Sequence, residues 1–409
     1  MFTDKDLECF RRIGDPVVDK LVDQLPPPDD PGFPLPVLGR WEPGQSMKDL
    51  PTLIRDYLCA PMEWPAWADA SRLLTAQQAY NKHRLRARLV LAHYSLPVAY
   101  LHAETSLTLT LTGQLLTHPR RRLLETVRFV ETMMQPGSFS DNGKGVAWVR
   151  KVRMTHALVR QLIQSRTPTE ARPKAPKLSQ PAFGFDHAAV AARLRAMPQP
   201  VRDRMPLDQV ELAFVLQSFG WVMVDGLNRF NHRMATDEAH EYVFAWSMIG
   251  HALGIDKKLL PHTGAGAPTA QGLHRRIRDR LLAAGAPPGA SKDPQDTWLA
   301  GHLLTAALVS ILTQIMRERV PDSMQRWLRT FPALDRAMQA LPRTLIRRCC
   351  GSDAANHLRV GRAPLLHWLV GEIALRLIDL DQAADYPVDS APPARDAGFA
   401  LPAYLTLPR

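Results

Sequence analysis

The chain has 409 residues, 45% of them hydrophobic, enough for one large or two ordinary domains with a sizeable buried core. Its net charge of +11 and pI near 9.7 permit attraction to nucleic acid or anionic lipid. The basic residues are scattered, however, and no zinc-finger or RNA-recognition signature accompanies them, so no nucleic-acid partner is expected. Cys9, Cys59, Cys349 and Cys350 lack the paired spacing of a zinc site, and the adjacent Cys349 and Cys350 suit a disulfide poorly, so reduced thiols are expected.

The first twenty residues, MFTDKDLECFRRIGDPVVDK, spread charge throughout and contain no apolar run of a secretory signal. As written, the chain is expected in the cytoplasm, and secreted only if a leader has been removed. Residues 1–60 read as an N-terminal extension broken by LPPPDDPGFPLP. Apolar residues at three-to-four spacing then recur over roughly 71–103, 118–135, 144–165, 186–197, 207–230, 236–254, 297–319 and 363–382, which predicts an all-α fold. Residues 106–112, SLTLTLT, alternate like a half-buried strand, but helix is retained there because the surrounding chain is helical. The stretch RTPTEARPKAPKLSQP, residues 166–181, reads as a Pro-rich loop, GAPPGASKDP marks another joint, and 383–409 an irregular tail. Trp298–Met316 comes nearest to a membrane span, yet His302, Thr305, Ser310, Thr313 and Gln314 interrupt it and favour a buried helix. With no internal repeat and no glycine-rich phosphate loop, residues 1–409 read as a single domain without a nucleotide fold.

The chemistry concentrates in GVAWVRKVRMTHALVRQLI. Val149, Val152, Arg153, His156, Val159, Arg160 and Ile163 fall on one helical face, with Arg150 off it. A guanidinium on an inward apolar face must meet an anion, because an unpaired buried charge costs several kcal/mol. Haem propionates are one such anion and protein carboxylates another. Likewise His156 is either an iron ligand or a hydrogen-bonded core histidine, and spacing by itself favours the second reading. The preceding segment, RRRLLETVRFVETMM, gathers Arg122, Glu125, Thr126, Phe129 and Met133 on neighbouring positions, which suits either a pocket wall opposite His156 or an ordinary amphipathic helix. His102 and Glu104, one helix earlier, are open in the same way. His240-Glu241 begins like a zinc-protease motif but places Phe244 where the second ligand belongs, so His232, His240 and His251 read as packing residues. No G-x-S-x-G elbow supports Ser-His-Asp hydrolysis.

Six blocks together, RRIGDPVVDKLVDQL, SLTLTLTGQL, RRRLLETVRFVETM, GVAWVRKVRMTHALVR, PLDQVELAFVLQSF and HEYVFAWSMIGHALGID, resemble the latex-clearing protein (rubber oxygenase) family and its MpaB-type relatives. The R-x-x-H-A-x-x-R element at Arg153–Arg160 is the most specific part. The resemblance implies a globin-like helical core around haem, extended by helices at both ends. It implies His156 as the proximal ligand of haem b, with Arg153 and Arg160 as its cofactor-binding arginines and Arg122 and Thr126 as pocket residues. Glu125 stands where family members can carry a lysine that caps the distal side of the iron, and Glu104 is nearest to a family glutamate proposed as a base. The implied activity is a haem-dependent dioxygenase reaction. With O2 as co-substrate, a C=C bond of a hydrophobic isoprenoid (polyisoprene or a smaller prenyl or terpenoid chain) is split to an aldehyde and a ketone. Two other readings remain: a haem protein that senses or stores, and a cofactor-free helical lipid-binding module.

Overall fold

The computed structural model describes residues 4–101, 119–166, 205–283 and 332–360, leaving aside 29, 141–142, 231, 263–265 and 359, and adds 105, 106, 108, 305, 308, 309 and 312 as single positions. For 4, 119–124, 165–166, 280–283 and 332–339 only the backbone is described. Every regular element among the described residues is helical. Four short helices come first: α1 (Asp4–Phe10), α2 (Pro16–Val22), α3 (Leu35–Arg40) and α4 (Thr52–Cys59). Next stand α5 (Ala70–Lys82) and a rod formed by α6 (Arg84–Val90), a π turn (Leu91–Ser95) and α7 (Leu96–Ala99). The remaining helices follow: α8 (Pro119–Met133), α9 (Lys144–Arg166), α10 (Gln209–Phe219), α11 (Trp221–Arg229), α12 (Thr236–Ala252), α13 (Gly266–Ala283), α14 (Pro332–Cys350) and the short α15 (Ser352–His357).

Local chemistry explains several boundaries. Asp15 caps α2 by accepting from Val18 N–H, with Pro16 at the first helical position, and Asp208 caps α10 by accepting from Val210 and Glu211 N–H. In the rod, Pro97 has no N–H for the His93 carbonyl, and Leu96 N–H reaches back to Leu91 O, which opens the π turn. The single 207–230 period expected from sequence is divided at Gly220, whose φ of −83° and ψ of −92° leave the helical region. The described positions of the Leu/Thr alternation and its edge, Thr105, Ser106 and Thr108, are helical.

Three apolar cores are the largest among the described residues. The largest joins the rod (Val90, Leu91, Tyr94) to α10, α11 and α12 through Phe214, Met223 and Trp246, and Gly226 lets α11 approach so closely that a Cβ there would overlap Val90. The second packs α2, α3 and α4 against Met154, Ala157, Leu158 and Leu162 of α9. The third sets Leu96, Tyr100 and Leu101 against Ile346, Ala355 and Leu358. The N-terminal extension is thus a packed part of the fold around one side of α9. Sequence periodicity missed α13 and α14, whose apolar positions are diluted by arginines and, in α14, interrupted by Pro342. The expected helix at 186–197 and the one at 363–382 lie outside the described residues, as do 167–181, 285–294 and the tail. Within the 297–319 segment, the described Thr305, Leu308, Val309 and Leu312 are helical and buried. Among the described residues one helical run, Gln209–Arg229, is long and apolar enough to cross a membrane, and 72% of its most apolar window is buried inside the fold. All four cysteines carry free thiols.

Two histidines occupy apolar surroundings. His93 bonds through Nδ1 to Leu89 O at 2.9 Å, and burial pushes its pKa down to about 4 against the opposing effect of that bond. His274 stacks on Phe214 with ring centroids 5.3 Å apart, and burial pushes it down to about 3. Both folded values lie below the unfolded value of about 6.5, so the stability these neutral rings confer is complete above that pH. It is lost as pH falls from there toward 4, by about 2 kcal/mol per histidine at pH 5. His274→Phe keeps the stacking without the titration, and urea unfolding at pH 7 and pH 5 should show it losing about 2 kcal/mol less than the unaltered chain. Equal losses would contradict the assignment.

Candidate functional site

Helix α9 is the longest described element, 23 residues from Lys144 to Arg166. It enters from a tight turn in which Gly143 N–H bonds to Ser140 O at 2.8 Å and Gly145 N–H to Ser138 O at 2.7 Å. A Cβ at either glycine would overlap the Ser138 carbonyl. From this start α9 sends four cations toward the N-terminal helices. Arg150 donates to Tyr57 O at 2.6 Å, to Ala60 O and to Pro61 O at 2.7 Å. Lys151 donates to Gly39 O and Trp41 O. Both thereby satisfy carbonyls at helix C-termini, those of α4 and α3 respectively.

Arg153 forms a two-point pair with Asp15, Nε to Oδ2 at 2.5 Å and Nη2 to Oδ1 at 2.9 Å. Burial opposes the charge of Arg153, but the hydrogen bonds and charge of Asp15 outweigh it and raise its pKa above the ordinary value. Arg160, 1% exposed, pairs with Asp19 at 2.9 Å and donates to Leu207 O at 2.8 Å. The anions these arginines meet are therefore carboxylates of α2 and its cap. A propionate would have to share the guanidinium groups with them. Arg150, read from the helical wheel as pointing away, is 7% exposed and holds the end of α4.

His156 stands between the two arginines, half-buried, on the side of α9 continued from Val149 and Val152. Those valines belong to the large core, whereas Met154, Ala157 and Leu158 belong to the second, so the imidazole lies at the border of two apolar clusters. Helix α8 packs against α9. Arg122 lies 11 residues from the end of α8 at Met133, and His156 lies 12 residues from the start of α9 at Lys144. At about 1.5 Å per residue both are roughly 17 Å from the connecting turn. Glu125 and Thr126 are half-buried on the same helix, and each has an interaction partner. Arg122 is placed by its backbone alone, and His102 and Glu104 lie outside the described residues.

Several other described histidines pack against rings or cations. Trp67 stacks on His262 at 4.5 Å between centroids and meets His251 edge-on at 6.1 Å. His232 takes a hydrogen bond with Arg86 and lies edge-on to His83. Among the described residues no group of three or more His, Cys, Asp or Glu is placed to hold a metal by protein ligands alone. What sequence reading missed was the pair Asp15 and Asp19. The signal was present in DPVVD, a helix start with carboxylates four residues apart on one face.

These elements define an all-helical, globin-like fold. It is similar to a solved structure of the latex clearing protein LCP in its closed state, with a TM-score of 0.57 over 93% of this chain and 85% of that one, at 18% identity. No curated protein matches the chain. Residues 82–348 match the family described as ER-bound oxygenase mpaB/B'/rubber oxygenase, catalytic domain, and the chain belongs to that family. The matched region contains α8 and α9 entire, whereas α1 to α4 precede it.

Arg150→Ala should cost about 2–4 kcal/mol, because three carbonyls lose their donor at a buried helix end. Lys82→Ala removes a largely exposed partner of Glu238 and should stay within about 1 kcal/mol. Urea midpoints for the two variants compare them directly, and equal shifts would remove the structural role given to Arg150.

Proposed function

We propose that the chain is a haem b-dependent oxygenase that splits the C=C bond of a hydrophobic isoprenoid. The observation that carries this reading is His156, half-buried between two fixed arginines at the border of two apolar clusters, within residues that match an oxygenase family. An imidazole in such a place is a donor of the type that haem iron takes, and one protein ligand suffices for a b-type haem. The chain's residues thus fit the iron. Arg153 and Arg160, taken up by Asp15 and Asp19, act on the cofactor through the placement of α9. Arg122 and Thr126 are assigned to the wall of the pocket on α8.

When bound, the haem supplies dioxygen activation. The residues of the chain do the rest. His156 would hold the cofactor, and the apolar side chains of the two clusters would exclude water from it and suit an aliphatic substrate. A carboxylate is the group available to take an allylic proton and return it before the products leave, and Glu125 or Glu104 is assigned that role. The reaction balances without further reagents: one C=C bond and one O2 give one aldehyde and one ketone, with both oxygen atoms in the products. Smaller prenyl or terpenoid chains fit the same chemistry as polyisoprene.

The test begins with protein produced under ample haem supply. A Soret band and a stoichiometric pyridine haemochrome of b type are expected, and His156→Ala should lose most of the bound haem, since only non-covalent contacts remain. Oxygen uptake with an unsaturated isoprenoid and 18O in both carbonyl products should follow. A colourless folded protein that takes up no haem contradicts the reading, and a red protein without oxygen uptake is a haem binder rather than an oxygenase.

A further inference from the structure

We infer that Asp15 and Asp19 are positioning residues for His156, an assignment that rests on the haem reading above. The helix carrying His156 is held at two points on one face, three residues before the histidine through Arg153 and four after it through Arg160. Arg150 and Lys151 anchor α9 before the histidine, and a single pair would hold only one side of it. Two pairs seven residues apart, about two helical turns, oppose both pivoting and rotation.

The carboxylates are themselves fixed. Asp15 is 2% exposed, accepts from Val18 N–H, and through its own N–H donates to Asp19 Oδ2 at 2.9 Å. Two glycines make room for the pairs. Gly254, at φ +82°, lies where a Cβ would overlap both the Asp15 carboxylate and the Arg153 guanidinium, and Gly14 lies where one would overlap Arg160 and Asp19. Buried Gln209 locks these segments together: its amide donates to Gly14 O at 2.6 Å and to Gly254 O at 3.0 Å, while its carbonyl accepts from Asp256 N–H at 2.7 Å. The α2 cap, the start of α10, the turn after α12 and the middle of α9 therefore meet at one polar junction. Its acidic members precede the residues, 82–348, that match the oxygenase catalytic domain.

Such a junction sets the angle at which the imidazole presents its nitrogen, in the manner of an outer-shell partner of a metal ligand. The full chain loaded with haem, carrying Asp15→Asn, Asp19→Asn or both, tests this. Each single variant should keep its helical circular dichroism and its haem stoichiometry. Haem transfer to an acceptor apoprotein should be faster by about 10- to 100-fold, and the ferrous iron–histidine stretch should shift or broaden. Asp15→Glu should recover part of both changes. Asp225→Asn, which breaks a different ion pair with Arg229, should leave the iron signals untouched.

If Asp15→Asn fails to fold, Asp19→Asn carries the same test, since that carboxylate is 30% exposed. A lowered melting temperature with unchanged transfer rate and stretch would make the aspartates structural only and overturn the inference. Failure of the haem reading looks different. The unaltered chain would then lack haem just as His156→Ala does, and the positioning role would fall with it.

Discussion

Two guanidinium–carboxylate pairs, Arg153 with Asp15 and Arg160 with Asp19, fix the longest described helix against the first helices of the chain. Taking such charges out of water costs several kcal/mol per ion, which Coulomb attraction alone does not reliably return. The additional hydrogen bonds tip the balance here. Asp15 also accepts from the start of α2, and Arg160 also donates to Leu207 O, so most of the polar capacity is used. Buried pairs of this kind specify one arrangement more than they stabilise it, because removing either partner leaves the other charge uncompensated.

The same constraint organises the apolar interior. Helix α9 divides the large core from the smaller one under α2, α3 and α4, and its two faces are chemically distinct for that reason. Val149 and Val152 serve one cluster, and Met154, Ala157 and Leu158 the other. The basic residues lie between, where N-terminal carbonyls and carboxylates can reach them. His156 is on the boundary and half-buried, whereas the ring of His274 is fully enclosed.

Membership of the oxygenase family and likeness to latex clearing protein overlap along the chain but differ in extent. The family match begins at residue 82, whereas the fold likeness covers 93% of the chain. The N-terminal helices α1 to α4 lie ahead of the matched catalytic region. Within them Asp15 and Asp19 reach α9 through their pairs with Arg153 and Arg160.

Amino-acid pattern alone determined that the chain is helical and placed most of its long elements, because apolar spacing of three to four is a local property of the sequence. It also singled out His156 and the two arginines as misfits on an apolar stripe, and required that the arginines find anions. Which anions they find is a matter of tertiary structure. Asp15 and Asp19 are separated from Arg153 and Arg160 by about 140 residues, and no local rule connects them. The same holds for Arg150, which the helical wheel turned away from the stripe and the fold buried against the end of α4. Periodicity reports which side of a helix is apolar, but not which neighbours arrive to cover the other sides. That choice is made by long-range packing, and here it placed the N-terminal carboxylates where the cations of α9 required them.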